Sequence, residues 1–387
     1  MKIKTIQHFL IIILTIVTFF CPFFIYKNAK YNVSFAITCL IAFFYIFICI
    51  KKTQTTRKLF PFIILFIIYF LIFTITSILH IGCYTEMINR LCCFSFFVVL
   101  YKYGDTIFTK KLLKQILNIT LIAVVFSILL YFLNIEELSF GNGINYRIQG
   151  DHFIDKRLTY VFLHKSTYGL ILNLLLIICM RFKNVFSSIK RQYIYILIIF
   201  LAIILTGSAT AIISSLIIAF AFYICDNRKK INKRKLAVIA ICIIVAPFIF
   251  TYLFNFLETS RNLSTGGTRF EIWATAFDYL SKNNIGLGDK FFITYIGKFN
   301  NFHNVFLNEM LHFSIPIGVM FLIIFIYITI ISIKAKKGEK LINTLLWIAI
   351  YLLLMIDHSL NISMLPMFFL LIYIIYFYKE EDDINEW

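Results

Sequence analysis

Apolar runs of about 18 or more residues recur from one end of this chain to the other, the length a helix needs to cross a hydrocarbon core of about 30 Å. Of its 387 residues, 61% are hydrophobic and 14% charged. A soluble domain keeps roughly a quarter of its residues charged, so a soluble class is excluded. Candidate spans fall at 9–26, 32–50, 59–79, 84–101, 113–134, 159–180, 193–206, 208–225, 236–256, 313–333, 342–358 and 361–378. The expected fold is all-α: a single polytopic integral membrane domain over 1–387, with about 12 transmembrane helices.

The net charge is +18, but its distribution argues against nucleic acid. Lys and Arg sit in short clusters between apolar blocks: Lys51 with Lys52, Arg57 and Lys58; Lys102 with Lys110, Lys111 and Lys114; Arg181 with Lys183, Lys190 and Arg191; the run 228–235; and Lys334 with Lys336, Lys337 and Lys340. Positive-inside placement puts all of them in the cytoplasm, together with both termini. The nine cysteines are scattered, with no CxxC pair, and read as small apolar residues. Lys2 and Lys4 precede an apolar run that ends in Phe19, Phe20, Cys21 and Pro22, where a cleavage site needs small residues. The first span is therefore expected to stay uncleaved.

The run 193–225 needs a decision. A straight helix of that length would measure about 50 Å, and both flanking clusters are basic, so an even number of crossings must lie between them. The expected break is Thr206-Gly207-Ser208, where the one glycine of the run stands between hydroxyls. Two short helices follow, re-entrant or spanning.

This parity leaves two long outward segments, 135–160 and 257–312. The second holds Gly266, Gly267, Thr268, Arg269, Phe270, Glu271, Ile272 and Trp273, then Gly286-Leu287-Gly288, then Phe302-His303-Asn304. Thr268 and Glu271 have capping-box spacing. Phe270, Trp273, Phe277 and Leu280 recur at helical spacing, so an amphipathic helix ending near Asn283-Asn284 is expected on the outer membrane surface or against the bundle, with Trp and Phe at the interface. Arg269 in its first turn would place a guanidinium beside unpaired N–H groups, a phosphate-binding arrangement; the plainer reading sets Arg269 on lipid phosphate. His303-Asn304 is expected to open the next helix. A histidine there can take a proton from a hydroxyl, and Glu309 could assist it; the plainer reading is a histidine satisfied by hydrogen bonds.

The segment 135–160 and the start of the next span supply Arg147, Asp151, His152, Asp155, Lys156 and Arg157, then His164-Lys165-Ser166. Lys165 must snorkel or face a polar cavity, and two or three cations here could hold an anionic substrate. Glu86 and Arg90 are spaced for a helical ion pair. Walker, GxGxxG, HExxH and GxSxG motifs are absent from the sequence.

The order Arg269–Trp273, Gly286–Gly288, His303-Asn304 and Gly318, in a long outward loop leading to a span, resembles the O-antigen polymerase and ligase superfamily. The stretch Phe162-Leu163-His164-Lys165-Ser166-Thr167-Tyr168-Gly169 and the turn Leu205-Thr206-Gly207-Ser208-Ala209-Thr210 are similar to that family's too. The resemblance covers about 160–320 and implies metal-independent glycosyl transfer, without a cofactor, at the outer face of a bacterial inner membrane. The substrates it implies are polyprenyl-pyrophosphate-linked glycans among membrane lipids, with a chain-length regulator and a flippase as partners. It assigns His303 as base or acceptor-orienting group and Arg269 to the pyrophosphate. Arg147, Arg157, His164, Lys165, Asn304 and Glu309 become substrate-binding candidates, and no metal ligands are implied. The ligase branch looks like His-Asn followed, after about nine residues, by a glycine; here Ser314 stands at that position and Gly318 near the branch's second glycine. That departure favours a repeat-unit polymerase. A ligase transferring polymer to lipid A core is the alternative, and a transporter of polysaccharide or lipid-linked glycan is the alternative from another class.

Overall fold

The computed structural model describes residues 2–20, 40, 60–79, 84–135, 137–138, 141–142, 144–149, 153–162, 164–225, 269–282, 286, 302–336, 338–356, 359–360 and 364–379. The expected spans 32–50 and 236–256 lie outside these residues, as do Thr268, Leu287, Gly288, Asp151 and His152.

Twelve helices are present among the described residues: α1 (Lys2–Phe20), α2 (Phe60–Leu79), α3 (Tyr84–Ile107), α4 (Lys110–Phe132), α5 (Lys165–Arg181), α6 (Ile189–Leu205), α7 (Ala209–Cys225), α8 (Arg269–Lys282), α9 (Val305–His312), α10 (Ile315–Lys334), α11 (Lys340–Ile356) and α12 (Leu365–Tyr376). Among them α2, α4 and α10 are long and apolar enough to cross a membrane. Shorter apolar helices are Thr5–Phe20 within α1, then α7, α11 and α12. Every residue of α12 is buried, and α5 is buried from Ser166 to Cys179. A helix apolar all round belongs in the middle of a bundle, and α12 packs there on α3 and α5. Trp347 of α11 stacks on Tyr376 of α12, with ring centroids 5.4 Å apart.

The long run 193–225 breaks where its one glycine stands. α6 ends at Leu205, Gly207 takes φ 60°, and α7 begins at Ala209. The Thr206 hydroxyl donates to the Ile203 carbonyl (2.7 Å) and accepts from the Ser208 N–H (3.2 Å). The turn thus satisfies polar backbone that a lipid-soluble helix would otherwise leave bare.

The segment 135–160 is not the plain loop expected from its polarity. Its described part folds into two antiparallel hairpins, β1 (Glu137–Leu138) with β2 (Gly141–Asn142), and β3 (Ile144–Gln149) with β4 (Phe153–Leu158). The sequence reason is a period-two alternation, Ile144, Tyr146 and Ile148 against Asn145, Arg147 and Gln149. The longer ribbon is tied to the end of α4. There Asn134 takes φ 56°, and the Asn134 and Ile135 N–H groups return to the Tyr131 and Leu130 carbonyls (3.3 and 3.1 Å), a Schellman ending. Lys156 of β4 donates to the Tyr131 carbonyl and lies 4.1 Å from the centre of the Tyr131 ring.

Candidate active site at one end of the bundle

The amphipathic helix α8 packs against the bundle, through a face centred on Ala276 that the Phe270–Trp273–Phe277–Leu280 spacing does not single out. Ile272, Ala276 and Leu280 are buried against Phe302, Leu307 and Leu311, with Trp273 and Tyr279 alongside. Phe270 and Phe277 are 59% and 60% exposed. The physical reason is that α8 carries two apolar stripes. Small Ala276, between Ile272 and Leu280 at i, i+4 spacing, admits α9 closely, and the bulky Phe pair is left to the outer side. For Arg269 the backbone alone is described.

His303 does not open α9. It precedes the helix in the left-handed region, at φ 50°. A non-glycine residue there carries strain of about 1 kcal/mol or more. The neighbours on both sides are held. The Phe302 N–H donates to Asn308 Oδ1 (2.9 Å), and the Phe302 carbonyl accepts from Trp273 Nε1 (2.8 Å). Asn304 is the N-cap of α9: its Oδ1 accepts from the Leu307 N–H (2.9 Å), and its Nδ2 donates to the Met355 carbonyl (3.1 Å). His303 is thus a half-buried imidazole on a strained backbone between two clamped residues.

Glu309 is held by a residue that the sequence reading left in a bland pair. Arg90 of α3 donates from Nε and Nη2 to the two Glu309 oxygens (3.1 and 2.6 Å), and from Nη1 to Glu86 (3.0 Å). The guanidinium lies 4.4 Å from the Phe313 ring centre. The expected Glu86–Arg90 pair is present. The signal for the rest was an arginine inside an apolar span, which must find a partner. Burial pushes the Glu309 carboxyl up, while the Arg90 guanidinium acts in the opposite sense. Burial, with Arg90 adding to it, holds the His312 imidazole down at about 3, so His312 is neutral.

Gly286, after α8, and Gly318, inside α10, are packing glycines. The Gly286 N–H donates to the Phe313 carbonyl (2.8 Å), and a Cβ there would stand 2.6 Å from the Leu311 carbonyl oxygen. A Cβ on Gly318 would stand 2.2 Å from Met310 Cγ and 2.7 Å from the Met310 nitrogen. Ser314 occupies the N-cap position of α10, with its hydroxyl 3.4 Å from that of Thr76.

The second group is built on α5. His164 is its N-cap, and Nδ1 accepts from the Ser166 N–H (3.3 Å), which puts the proton of a neutral ring on Nε2. Lys165 Nζ donates to the Gly207 carbonyl (3.3 Å). Asn173 donates to the carbonyls of Gly169 and Ala211 (2.8 and 3.0 Å), and a Cβ on Gly169 would lie 2.6 Å from the Ala211 methyl. The His164–Gly169 stretch and the broken-helix turn, far apart in sequence, are therefore one packed unit.

Both groups lie at one end of the bundle. At the far end of α5, Arg181 donates to Asn343 near the start of α11 (3.0 Å). Midway, the Ser214 hydroxyl of α7 donates to the Ala349 carbonyl of α11 (2.9 Å). Lys165 and Gly207 at the start of α5 and α7 thus share an end with Met355, the α11 residue that Asn304 contacts. Arg147 and Arg157 are on the ribbon, where Arg147 pairs in register with Asp155 and Arg157 with Asn145. Arg157 is buried; for Arg147 the backbone alone is described. β4 packs on α4 and α6, whereas α9 packs on α8, α10 and α11.

Comparison with known proteins bears on this arrangement. The O-antigen ligase family model matches residues 194–322. That segment runs from α6 through the Gly207 turn, α7, α8 and His303-Asn304 into α10, and it stops short of His164 and Lys165 on the N-terminal side. No curated protein matches the chain. Over residues 194–322, a third of the chain, the protein is thus similar to the O-antigen ligase family, in keeping with the resemblance to the O-antigen polymerase and ligase superfamily.

Proposed function

We propose that the protein polymerises polyprenyl-pyrophosphate-linked oligosaccharide repeat units at the outer face of the inner membrane, for O-antigen, capsule or exopolysaccharide. The observation that carries this reading is His303, held in a strained backbone at the bundle end where Lys165 also lies. Strain of this kind gathers where geometry serves chemistry. In the reaction, an acceptor hydroxyl attacks the anomeric carbon of the donor glycan. The new C–O bond forms as the bond to the pyrophosphate breaks, and the hydroxyl proton passes to the His303 imidazole. The pyrophosphate leaves on its carrier with the bonding electrons, and cations stabilise that charge. Arg269, at the N-terminus of α8, takes this task. Lys165 and Arg157 hold the second lipid-linked substrate, with Arg147 and His164 beside them. Asn304 and Glu309 act by shaping the segment around His303. No metal takes part.

A second reading is favoured by the description of the matched family itself: ligation of finished polymer to lipid A core. Deletion of the gene in the host distinguishes the readings. Core bearing one repeat marks a polymerase. Unmodified core with polymer retained on the carrier marks a ligase. Repeat units retained on the cytoplasmic side mark a transporter and overturn both.

A further inference from the structure

We propose that Trp273 is a positioning residue for His303, so that docking of α8 onto α9 sets the aim of the imidazole; as a statement about catalysis, this rests on the reading of His303 as proton acceptor. Trp273 is half-buried at the edge of the Ile272–Ala276–Leu280 contact, and its ring stays wedged beside α9 whether or not its N–H is used. The N–H is nevertheless aimed at one atom, the carbonyl oxygen of the residue that precedes His303 (2.8 Å). That carbonyl belongs to the peptide unit whose orientation fixes φ of His303. Asn308 holds the N–H of the same residue (2.9 Å), and Asn304 anchors the other side to α9 and to Met355. Phe302 itself is fully buried, so its backbone groups have no ready replacement in water. Three side chains from two helices and a cap thereby fix a left-handed residue that no helix or strand ladder supports. Loss of the indole N–H removes this hold on the Phe302 carbonyl and lets the peptide rotate toward ordinary φ.

The test uses the full-length chain in lipid nanodiscs. Trp273 is replaced by benzothienylalanine through codon suppression, an isostere with sulfur in place of N–H, and Trp273→Phe serves as a second variant. The suppressor-loaded Trp protein is the control. Two properties are read: the rate at which diethyl pyrocarbonate modifies His303, followed by peptide mass spectrometry, and kcat and KM for glycosyl transfer. The expected result is a change of about fivefold in His303 modification and a fall of about fivefold to tenfold in kcat with KM little changed. Folding is checked by unchanged thermal midpoint. An isostere that leaves His303 modification at the control rate overturns the proposal. Altered modification with unaltered transfer supports the clamp and instead removes His303 from the reaction.

Discussion

Arg90 and Glu309 form a bidentate ion pair, at 3.1 and 2.6 Å, that ties α3 to the short helix following His303. Arg90 is almost wholly buried. Removing Arg90 leaves the Glu309 carboxyl without this partner, and removing Glu309 leaves the buried Arg90 with Glu86 alone; loss of a buried partner costs about 3–5 kcal/mol. Arg90→Ala and Glu309→Ala are each expected to lower the thermal midpoint in detergent sharply. Arg90→Met combined with Glu309→Leu should be milder than either, since the buried pair goes together and Glu86, which also loses Arg90, is partly exposed to solvent.

His303 separates chemistry from conformation. Asn visits the left-handed region more readily than most residues, so His303→Asn is expected to keep the fold while losing about 10²-fold or more in transfer. His303→Val, β-branched and disfavoured at φ 50°, should lose stability as well. Melting curves measured beside product yield check both; full activity in His303→Asn would remove the imidazole from the mechanism.

Gly286 faces backbone on its open side. An added Cβ would lie 2.6 Å from the Leu311 carbonyl oxygen and 2.7 Å from the carbonyl carbons of His312 and Phe313. None of these is the flexible end of a side chain, so the corner between α9 and α10 must move. Gly286→Ala is expected to cost about 1–3 kcal/mol, read as a lowered midpoint in the same assay.

His312 gives a pH expectation. Its pKa is held near 3 by burial, with Arg90 adding to it, against an ordinary value of about 6.5. The unfolded chain therefore binds this proton between those values and the folded chain does not. The His312 contribution is neutral above about pH 6.5 and increasingly destabilising as pH falls from there toward 3. Stability of His312→Gln should be less sensitive over this window than that of the parent chain. Any titration of transfer between pH 5 and 8 should persist in that variant, because His312 stays neutral throughout.

Much of the helical plan was legible because lipid allows few solutions. A 193–225 run that is too long for one crossing, with one glycine near its middle, has to break there, and Gly207 is where it does. The ribbon at 144–158 was harder to see because the alternation of β3 is only six residues long and β4, with three charged residues in a row, has none. The docked face of α8 was not legible because hydrophobicity alone ranks Phe270 and Phe277 above Ala276. Packing instead selects the side that lets two helices approach. At the site, His303, Asn304 and the Glu86–Arg90 pair stand out in the sequence. The Trp273–Phe302 bond and the Arg90–Glu309 pair do not, since their partners are 29 and 219 positions apart and no local spacing encodes them.

The two-sided character of α8 has a mechanical consequence. With Ile272, Ala276 and Leu280 committed to protein and Phe270 and Phe277 turned outward, the helix, laid on a bilayer surface, would answer to the bundle and to the acyl boundary together. Its height along the bilayer normal is then a compromise between two solvents. A thicker or thinner leaflet would tug on α8, and through the indole on the peptide beside His303. Membrane thickness would then be a variable of the reaction, reaching the support of the imidazole through α8.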